Sequence, residues 1–94
     1  MKQFLIFLSN KNSIGITNDL VSSHKAYLRK LKKHGHLKMC GPFEDNDKAF
    51  FIYSSESIGD AASLLLNDPI MQENCFSSYE IHEFSEANIS TGQL

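Results

Sequence analysis

Residues 17–35 read TNDLVSSHKAYLRKLKKHG. Apolar side chains recur in this stretch with the 3.6-residue period of an α-helix, which predicts one amphipathic helix ending at Lys33. Thr17 or Asn18 has a side chain suited to the N-cap, and Gly35 is a residue type that commonly ends a helix. The predicted buried stripe consists of Leu20, Val21, Tyr27, Leu28 and Leu31.

His24 lies on the same stripe, four residues after Leu20 and four before Leu28. This spacing predicts that the imidazole faces inward. Histidine titrates near neutral pH, and a titrating group at the rim of a core is what acid–base chemistry requires. His24 is therefore the first candidate catalytic residue.

Four other segments have the composition of β-strands. Each is a short run rich in apolar or aromatic residues and bounded by polar or turn residues. The predicted strands are Gln3–Leu8, Leu37–Cys40, Lys48–Ser54 and Phe76–Phe84. The dipeptide Gly41-Pro42 is predicted to stop the second strand as a turn.

A second helix is predicted after the third strand. Ser57 suits its N-cap, the helix ends near Asn67, and Pro69 cannot continue it in the ordinary way. Its predicted apolar stripe consists of Ile58, Ala61, Ala62, Leu65 and Leu66.

The order of elements is thus β-α-β-β-α-β. This order predicts an α+β fold of ferredoxin-like plan, a four-stranded antiparallel sheet with two helices on one face. We assign residues 1–84 to a single domain and residues 85–94 to a polar C-terminal tail. Right-handed crossovers make the first strand parallel to the second and the third parallel to the fourth.

This topology brings three distant features to one edge of the sheet. His24 lies early in the first helix, Gly41-Pro42 follows the second strand, and Asp68 lies between the second helix and the last strand. The topology alone, without any assumption about function, therefore predicts that these three features lie close together.

The composition restricts the class of protein. The chain has 94 residues, of which 41% are hydrophobic, and a net charge of -2, which argues against a dedicated nucleic-acid binder. Its N-terminal apolar run is too short for a signal or a membrane span, so we expect a cytoplasmic protein that does not bind membranes. Cys40 and Cys75 lack metal or redox spacing, and His34, His36 and His82 form no zinc pattern. No metal or cofactor is expected.

The motifs in their order resemble the YCII (YciI-like) family of the dimeric α+β barrel superfamily. They are Phe4–Leu8, His24 with Tyr27-Leu28 and Leu31, Gly35 with Leu37, Gly41-Pro42-Phe43, and Asp68-Pro69. The resemblance implies a homodimer whose sheets face each other and an active site built around a His–Asp pair, carried onto His24 and Asp68. We add Gly41, Pro42 and Phe43 as candidate substrate contacts, with turn formation as the alternative role of Gly41-Pro42.

The chain departs from the family pattern in three places. Ile70 replaces the aromatic residue that often follows Asp-Pro, and the glycine common a few residues later is replaced around Asn74. Val21, Ser22 and Ser23 occupy the stretch where a basic residue often precedes the histidine. The missing cation weakens the expectation of an anionic substrate.

Two functional hypotheses follow. In the first, the chain is a small enzyme in which a His24–Asp68 pair performs acid–base chemistry, an elimination or isomerisation of lyase type, on a small organic molecule. In the second, His24 binds a backbone carbonyl, Asp68 caps a turn, and the chain is a non-catalytic dimeric module that binds a small ligand or a partner. Cys40 is expected to be an inert thiol near the site rather than a nucleophile.

RNA binding is a third hypothesis. The segment Lys48–Tyr53 loosely echoes the aromatic RNP1 strand of RNA-recognition domains, although Ala49 stands where that motif has glycine. Exposure of Phe51 and Tyr53 on an open sheet face is the feature that would favour this hypothesis.

The uncovered sheet face predicts the assembly. Helices on one side leave the other side bare, and Phe4, Ile6, Phe50 and Ile52, or their alternating neighbours, are too apolar to remain in water. We therefore expect a homodimer that packs sheet to sheet.

Overall fold

Residues 1–92 are described by the structure, a computed structural model of the chain. The elements in chain order are β1 (Lys2–Lys11), α1 (Asn18–Lys33), β2 (Leu37–Pro42), β3 (Ala49–Ser55), α2 (Ile58–Leu66), α3 (Pro69–Gln72) and β4 (Phe76–Phe84). The strands form one sheet in the order β2-β3-β1-β4, and every neighbouring pair is antiparallel. The α+β, ferredoxin-like prediction is confirmed, with a short third helix in addition.

The central strand β1 divides its side chains between the two sheet faces. Phe4, Ile6 and Leu8 are fully buried, whereas the alternating Leu5 and Phe7 remain partly exposed. The buried residues form one core with side chains of the helices, among them Leu31, Ala61 and Leu65. One sheet face therefore carries the helices and the core, and the other face is uncovered within residues 1–92.

Strand β2 is longer than the sequence predicts. Gly41 and Pro42 do not stop it as a turn, because they pair with Phe50 and Ala49 of β3. Proline is tolerated there because β2 is an edge strand, where an absent N–H breaks no central ladder. The connection to β3 closes one residue later, where the Phe43 N–H donates to the Lys48 carbonyl.

A β-bulge at Lys38 changes which side chains of β2 face the helices. Leu37 pairs with Tyr53 but Met39 pairs with Ile52, so one residue of β2 has no partner. The bulge shifts the alternation by one position. As a result Cys40 lies opposite the buried Phe51, on the same face as Leu37.

Helix α1 has the predicted bounds and ends. The Thr17 hydroxyl accepts a hydrogen bond from the Leu20 N–H at 3.1 Å, and Gly35 takes the left-handed conformation, with φ of +81°, just after the helix. Helix α2 starts at its predicted cap, where the Ser57 hydroxyl accepts from the Asp60 N–H.

The predicted stripe of α2 is wrong at its two ends. Ile58 and Leu66 are 55% and 48% exposed, and only Ala61 and Leu65 of this short helix are buried. Leu64 packs at the edge of the core instead.

Helix α3 explains the sequence around Asp68-Pro69. Asp68 is its N-cap and Pro69 its first residue, the position at which proline lacks no needed hydrogen bond. Asn74 follows with a left-handed φ of +56°. Asparagine tolerates this conformation better than most residues, so it fits where the family pattern has glycine.

The tail beyond β4 contains one 3₁₀ turn, Ile89–Thr91, and residues 93–94 of the predicted tail lie outside the described part. Among residues 1–92 no helix has the length and apolar character needed to cross a membrane.

Candidate active site

His24 and Asp68 meet between α1 and the start of α3. The His24 Nδ1 atom lies 2.8 Å from Asp68 Oδ1 and 3.0 Å from Oδ2. The carboxylate is fully buried, while the imidazole side chain is 19% exposed. The two side chains therefore form a contact that reaches from the core to its rim.

Asp68 also caps α3. Its Oδ1 accepts a hydrogen bond from the Ile70 N–H at 3.1 Å. A buried carboxylate is costly unless hydrogen bonds satisfy it, and here the Ile70 amide and the His24 ring supply them. Capping and contact with His24 are thus roles of the same side chain rather than alternatives.

The contact determines which ring nitrogen is free. A carboxylate only accepts hydrogen bonds, so Nδ1 of His24 must carry the proton that points at Asp68. Within residues 1–92 the Nε2 atom has no hydrogen-bond partner. Nε2 is therefore available to a bound molecule, as a base in the neutral ring and as an acid in the protonated ring.

The imidazole lines a cavity of about 370 Å³, a size suited to a small organic molecule. Its walls are mostly apolar, with contributions from β1, α1, β2, β3 and the start of β4. The lining residues are Lys11, Ile16, Val21, His24, Lys25, Leu28, Cys40, Gly41, Pro42, Ala49, Phe51, Ile70 and Phe76.

The structure separates the three predicted substrate contacts. Gly41 and Pro42 line the cavity beside His24. Phe43 does not, because its ring lies on the uncovered face, with centroid distances of 5.3 Å to Phe7 and 6.3 Å to Phe50. The Phe43 side chain therefore lies on the other side of the sheet from the cavity that Pro42 lines.

Cys40 lies at the cavity wall as an exposed free thiol. Partial burial raises its pKa, the nearby Lys32 opposes that shift, and the charge of Asp68 adds to it. The thiol form is therefore favoured at neutral pH, as expected for an inert cysteine.

Phe51 and Tyr53 lie beside the site, a placement that the sequence does not predict. Tyr53 is fully buried and its ring stacks on Phe51, which in turn lies edge-on to His24 at a centroid distance of 6.0 Å. The Tyr53 hydroxyl has no hydrogen-bond partner, and burial, followed by the charge of Asp68, raises its pKa far above the ordinary value.

The feature that would favour RNA binding is missing. Phe51 and Tyr53 are 3% and 0% exposed and face the helices, so neither ring can stack on a base. As for metals, no cluster of three or more histidine, cysteine or carboxylate side chains within residues 1–92 is arranged to bind one.

Comparison with known proteins identifies a family whose model matches the chain. A family model described as the YCII-related domain matches residues 1–85. No curated protein matches the chain in sequence.

Several solved structures share the fold. One is the 5-chloro-2-hydroxyhydroquinone dehydrochlorinase of Burkholderia phenoliruptrix, solved in complex with 2,5-dihydroxybenzoquinone. It is 24% identical in sequence and superposes with a TM-score of 0.73, and the match covers 94% of this chain and 97% of that chain. Muconolactone isomerase is 12% identical, with a TM-score of 0.64 and coverages of 92% and 88%. A protein from Arabidopsis thaliana is 13% identical, with a TM-score of 0.53 and coverages of 94% and 97%. At these low sequence identities, the structural similarity establishes the fold alone.

Proposed function

Since the chain belongs to the family of YCII-related domains, we propose that it is an enzyme of proton transfer, catalysing an elimination or isomerisation of a small organic molecule. The observation that carries this proposal is the contact of His24 Nδ1 with the buried Asp68, which leaves Nε2 free at the wall of the cavity. His24 is the proposed catalytic residue, and Asp68 positions it.

The proposed reaction starts from the neutral imidazole. Nε2 takes a proton from a carbon of the substrate, and the electron pair of the broken C–H bond moves into an adjacent unsaturated group. The imidazolium that forms is stabilised by the negative charge of Asp68. In an isomerisation Nε2 returns the proton to a different atom, whereas in an elimination a leaving group departs with its bonding electrons.

The apolar walls support this chemistry. Phe51, Ile70 and Phe76 line the cavity, so a ring bound against them would displace water from beside His24 and strengthen the electrostatic interaction of Asp68 with the imidazole. Gly41 and Pro42 also line the cavity and are the proposed surface against which a substrate lies.

The names of two proteins of the same fold are consistent with the proposal. One is a dehydrochlorinase, which performs an elimination, and the other an isomerase. The first is bound to a dihydroxybenzoquinone, a small unsaturated ring. A molecule of that kind fits the size and the apolar lining of the cavity described above.

A proton-exchange assay tests the proposal without knowledge of the product. We would incubate small unsaturated cyclic acids and phenols, including 2,5-dihydroxybenzoquinone, with the protein in D2O and follow exchange of ring hydrogens by NMR. We expect exchange of at least one compound with the wild type and a loss of about 10²–10⁴-fold in His24→Gln, the usual contribution of a general acid or base.

His36→Gln is the matched control, because His36 also holds a hydrogen bond through Nδ1 but lies outside the cavity. It should exchange hydrogens at the wild-type rate. Equal exchange by His24→Gln and wild type, or no exchange by the wild type with any compound of the panel, would favour the alternative of a ligand-binding module.

A second part of the proposal is a homodimer packed sheet to sheet. The uncovered face carries an apolar surface that no element of residues 1–92 covers, and within it Phe43 packs edge-on against Phe7 and Phe50. His82 and Glu80 of β4 border this surface. A second copy fits this surface because a two-fold axis sets the same apolar patch against itself. The surface consists of Leu5, Phe7, Met39, Phe43, Phe50, Ile52 and Phe84.

Sedimentation tests the dimer. The wild type should sediment as a dimer at micromolar concentration, and Phe7→Asp should shift it to a monomer because a charge would be buried at the interface. Ile89→Asp changes a residue that is 84% exposed in the tail and should remain dimeric. A monomeric wild type would overturn this part of the proposal and leave the chemistry of His24 untouched.

A further inference from the structure

Two lysines border the cavity, although the sequence has no basic residue just before His24. Lys11 and Lys25 both line it, from β1 and from α1. No aspartate or glutamate is among the lining residues. The charge of the cavity surface is therefore positive.

Lys11 reaches the cavity through a local change in β1. Asn10 has a left-handed φ of +57°, which interrupts the alternation of the strand immediately before Lys11. The Lys11 ammonium then donates to the Asn46 carbonyl at 3.2 Å, in the connection between β2 and β3. This hydrogen bond places the Lys11 ammonium beside the connection that follows Pro42, itself a lining residue of the cavity.

Two carboxylates of this region already have partners. Asp68 accepts hydrogen bonds from His24 and Ile70, and the Asp45 carboxylate lies 2.8 Å from the Lys48 ammonium. No carboxylate within residues 1–92 lies within ion-pair distance of Lys11 or Lys25. The two ammonium groups consequently remain available to a charge on a ligand.

We propose that the cavity binds an organic anion, a small unsaturated ring carrying one acidic substituent, and that Lys11 and Lys25 select that charge. This inference rests on the proposed function of the same site. The ring lies against the apolar walls around Phe51, and the anionic substituent faces the lysines at the rim.

The lysines have a second effect on the proposed reaction. When Nε2 of His24 removes a proton from carbon, negative charge develops on the unsaturated system and its substituents. Fixed positive charges next to that system stabilise it in the transition state. Lys11 and Lys25 therefore act as specificity-determining residues that also favour deprotonation.

Benzoate and benzamide are suitable probes because they share size and ring and differ in charge. We would measure both dissociation constants by NMR titration of the full chain. The wild type should prefer benzoate by roughly fivefold to tenfold, and Lys11→Met and Lys25→Met should each reduce that preference about twofold to threefold. The double variant should bind the two probes about equally.

Methionine adds apolar surface that affects the binding of both probes. This effect cancels in the ratio of the benzoate and benzamide dissociation constants. Lys33→Met is the matched control, an exposed lysine of the same helix away from the cavity, and should keep the wild-type ratio. The preference should also fall in 0.5 M salt, since screening weakens exposed charges.

Three results would overturn the inference: no benzoate binding by the wild type, an equal affinity of the wild type for both probes, or a preference that survives in the double variant. The acid–base proposal is tested separately, because His24→Gln keeps both lysines and should still prefer benzoate while losing proton exchange. Loss of exchange with no charge preference would leave the proposed function intact and remove only the role of the lysines.

Discussion

His24 and His36 have the same local chemistry in two different surroundings. Both are partly buried, and both donate through Nδ1 to an oxygen, at 2.8 Å for His24 and 2.9 Å for His36. The acceptor of His36 is the Ser54 backbone carbonyl, whereas that of His24 is the carboxylate of Asp68. A hydrogen bond therefore orients both rings equally well.

The charge of the acceptor separates the two histidines. A carboxylate stabilises the imidazolium that forms when the ring takes a proton, and a neutral carbonyl does so far less. The surroundings differ as well, because His36 borders a groove with the polar Ser55, Glu56, Asp60 and Ser63, whereas His24 borders an apolar cavity. A hydrogen-bonded histidine is thus not by itself evidence of a catalytic site.

Among the variants that test the contrast between His24 and His36, Asp68→Asn is expected to have the largest effect. The asparagine oxygen can still cap Ile70, but its NH₂ group donates to His24 and moves the ring proton to Nε2, where it blocks the proposed base. Proton exchange should fall about 10²–10³-fold, as expected when a general base is held in the wrong tautomer. Asp60→Asn, an exposed carboxylate in the first turn of α2, should keep the wild-type rate.

Removal of the whole Asp68 side chain is expected to lower the stability of the protein. Asp68→Ala removes the cap of α3 and leaves the buried edge of the His24 ring without an acceptor. The free energy of unfolding should fall by about 2–3 kcal/mol, measured by urea denaturation. Asp60→Ala should cost less than about 0.5 kcal/mol, and an equal loss in both variants would contradict the account of Asp68.

Two tyrosines give a smaller contrast. The Tyr27 hydroxyl donates to the Leu64 carbonyl at 2.6 Å in the groove of His34 and His36, whereas the Tyr53 hydroxyl near Asp68 has no partner. Tyr27→Phe should cost about 1 kcal/mol, while Tyr53→Phe should be neutral or stabilising by up to about 1 kcal/mol.

The same two variants should differ in degree in alkaline solution, because burial raises the pKa of both tyrosines and raises that of Tyr53 far more. Burial raises the pKa of Tyr53, so above about pH 10 the unfolded chain releases a proton that the folded chain keeps, and stability falls as pH rises. Tyr53→Phe should reduce that fall. An unchanged alkaline slope in urea denaturation between pH 9 and pH 11 would contradict the buried environment of Tyr53.

The periodicity of the sequence was enough to predict α1, the order of elements and the placement of His24 and Asp68 at one edge. These features depend on alternation and helical spacing, which a single sequence displays directly. The positions at which the backbone leaves its regular repeat could not be predicted. The bulge at Lys38 and the left-handed Asn10 reorient Cys40 and Lys11, and neither change has a pattern in the sequence.

Phe43 shows a second feature that the sequence alone does not display. Its position next to Gly41-Pro42 predicts a contact with substrate, but its ring packs against Phe7 and Phe50 on the uncovered sheet face. The contribution of Lys25 was also missed, although it follows His24 on the same helix and flanks the predicted inward face. Which flanking residues border a cavity depends on the packing of other elements, and one chain segment does not contain that information.

The tautomer of His24 tests the central claim most directly. Long-range ¹H–¹⁵N NMR spectra, recorded at a pH where all imidazoles are neutral, distinguish Nδ1–H from Nε2–H rings and report His24 and His36 in one experiment. We predict that His24 of the wild type is protonated on Nδ1, that Asp68→Asn moves this proton to Nε2, and that His36 stays on Nδ1 in both proteins. A His24 ring protonated on Nε2 in the wild type, or unchanged in Asp68→Asn, would contradict the account.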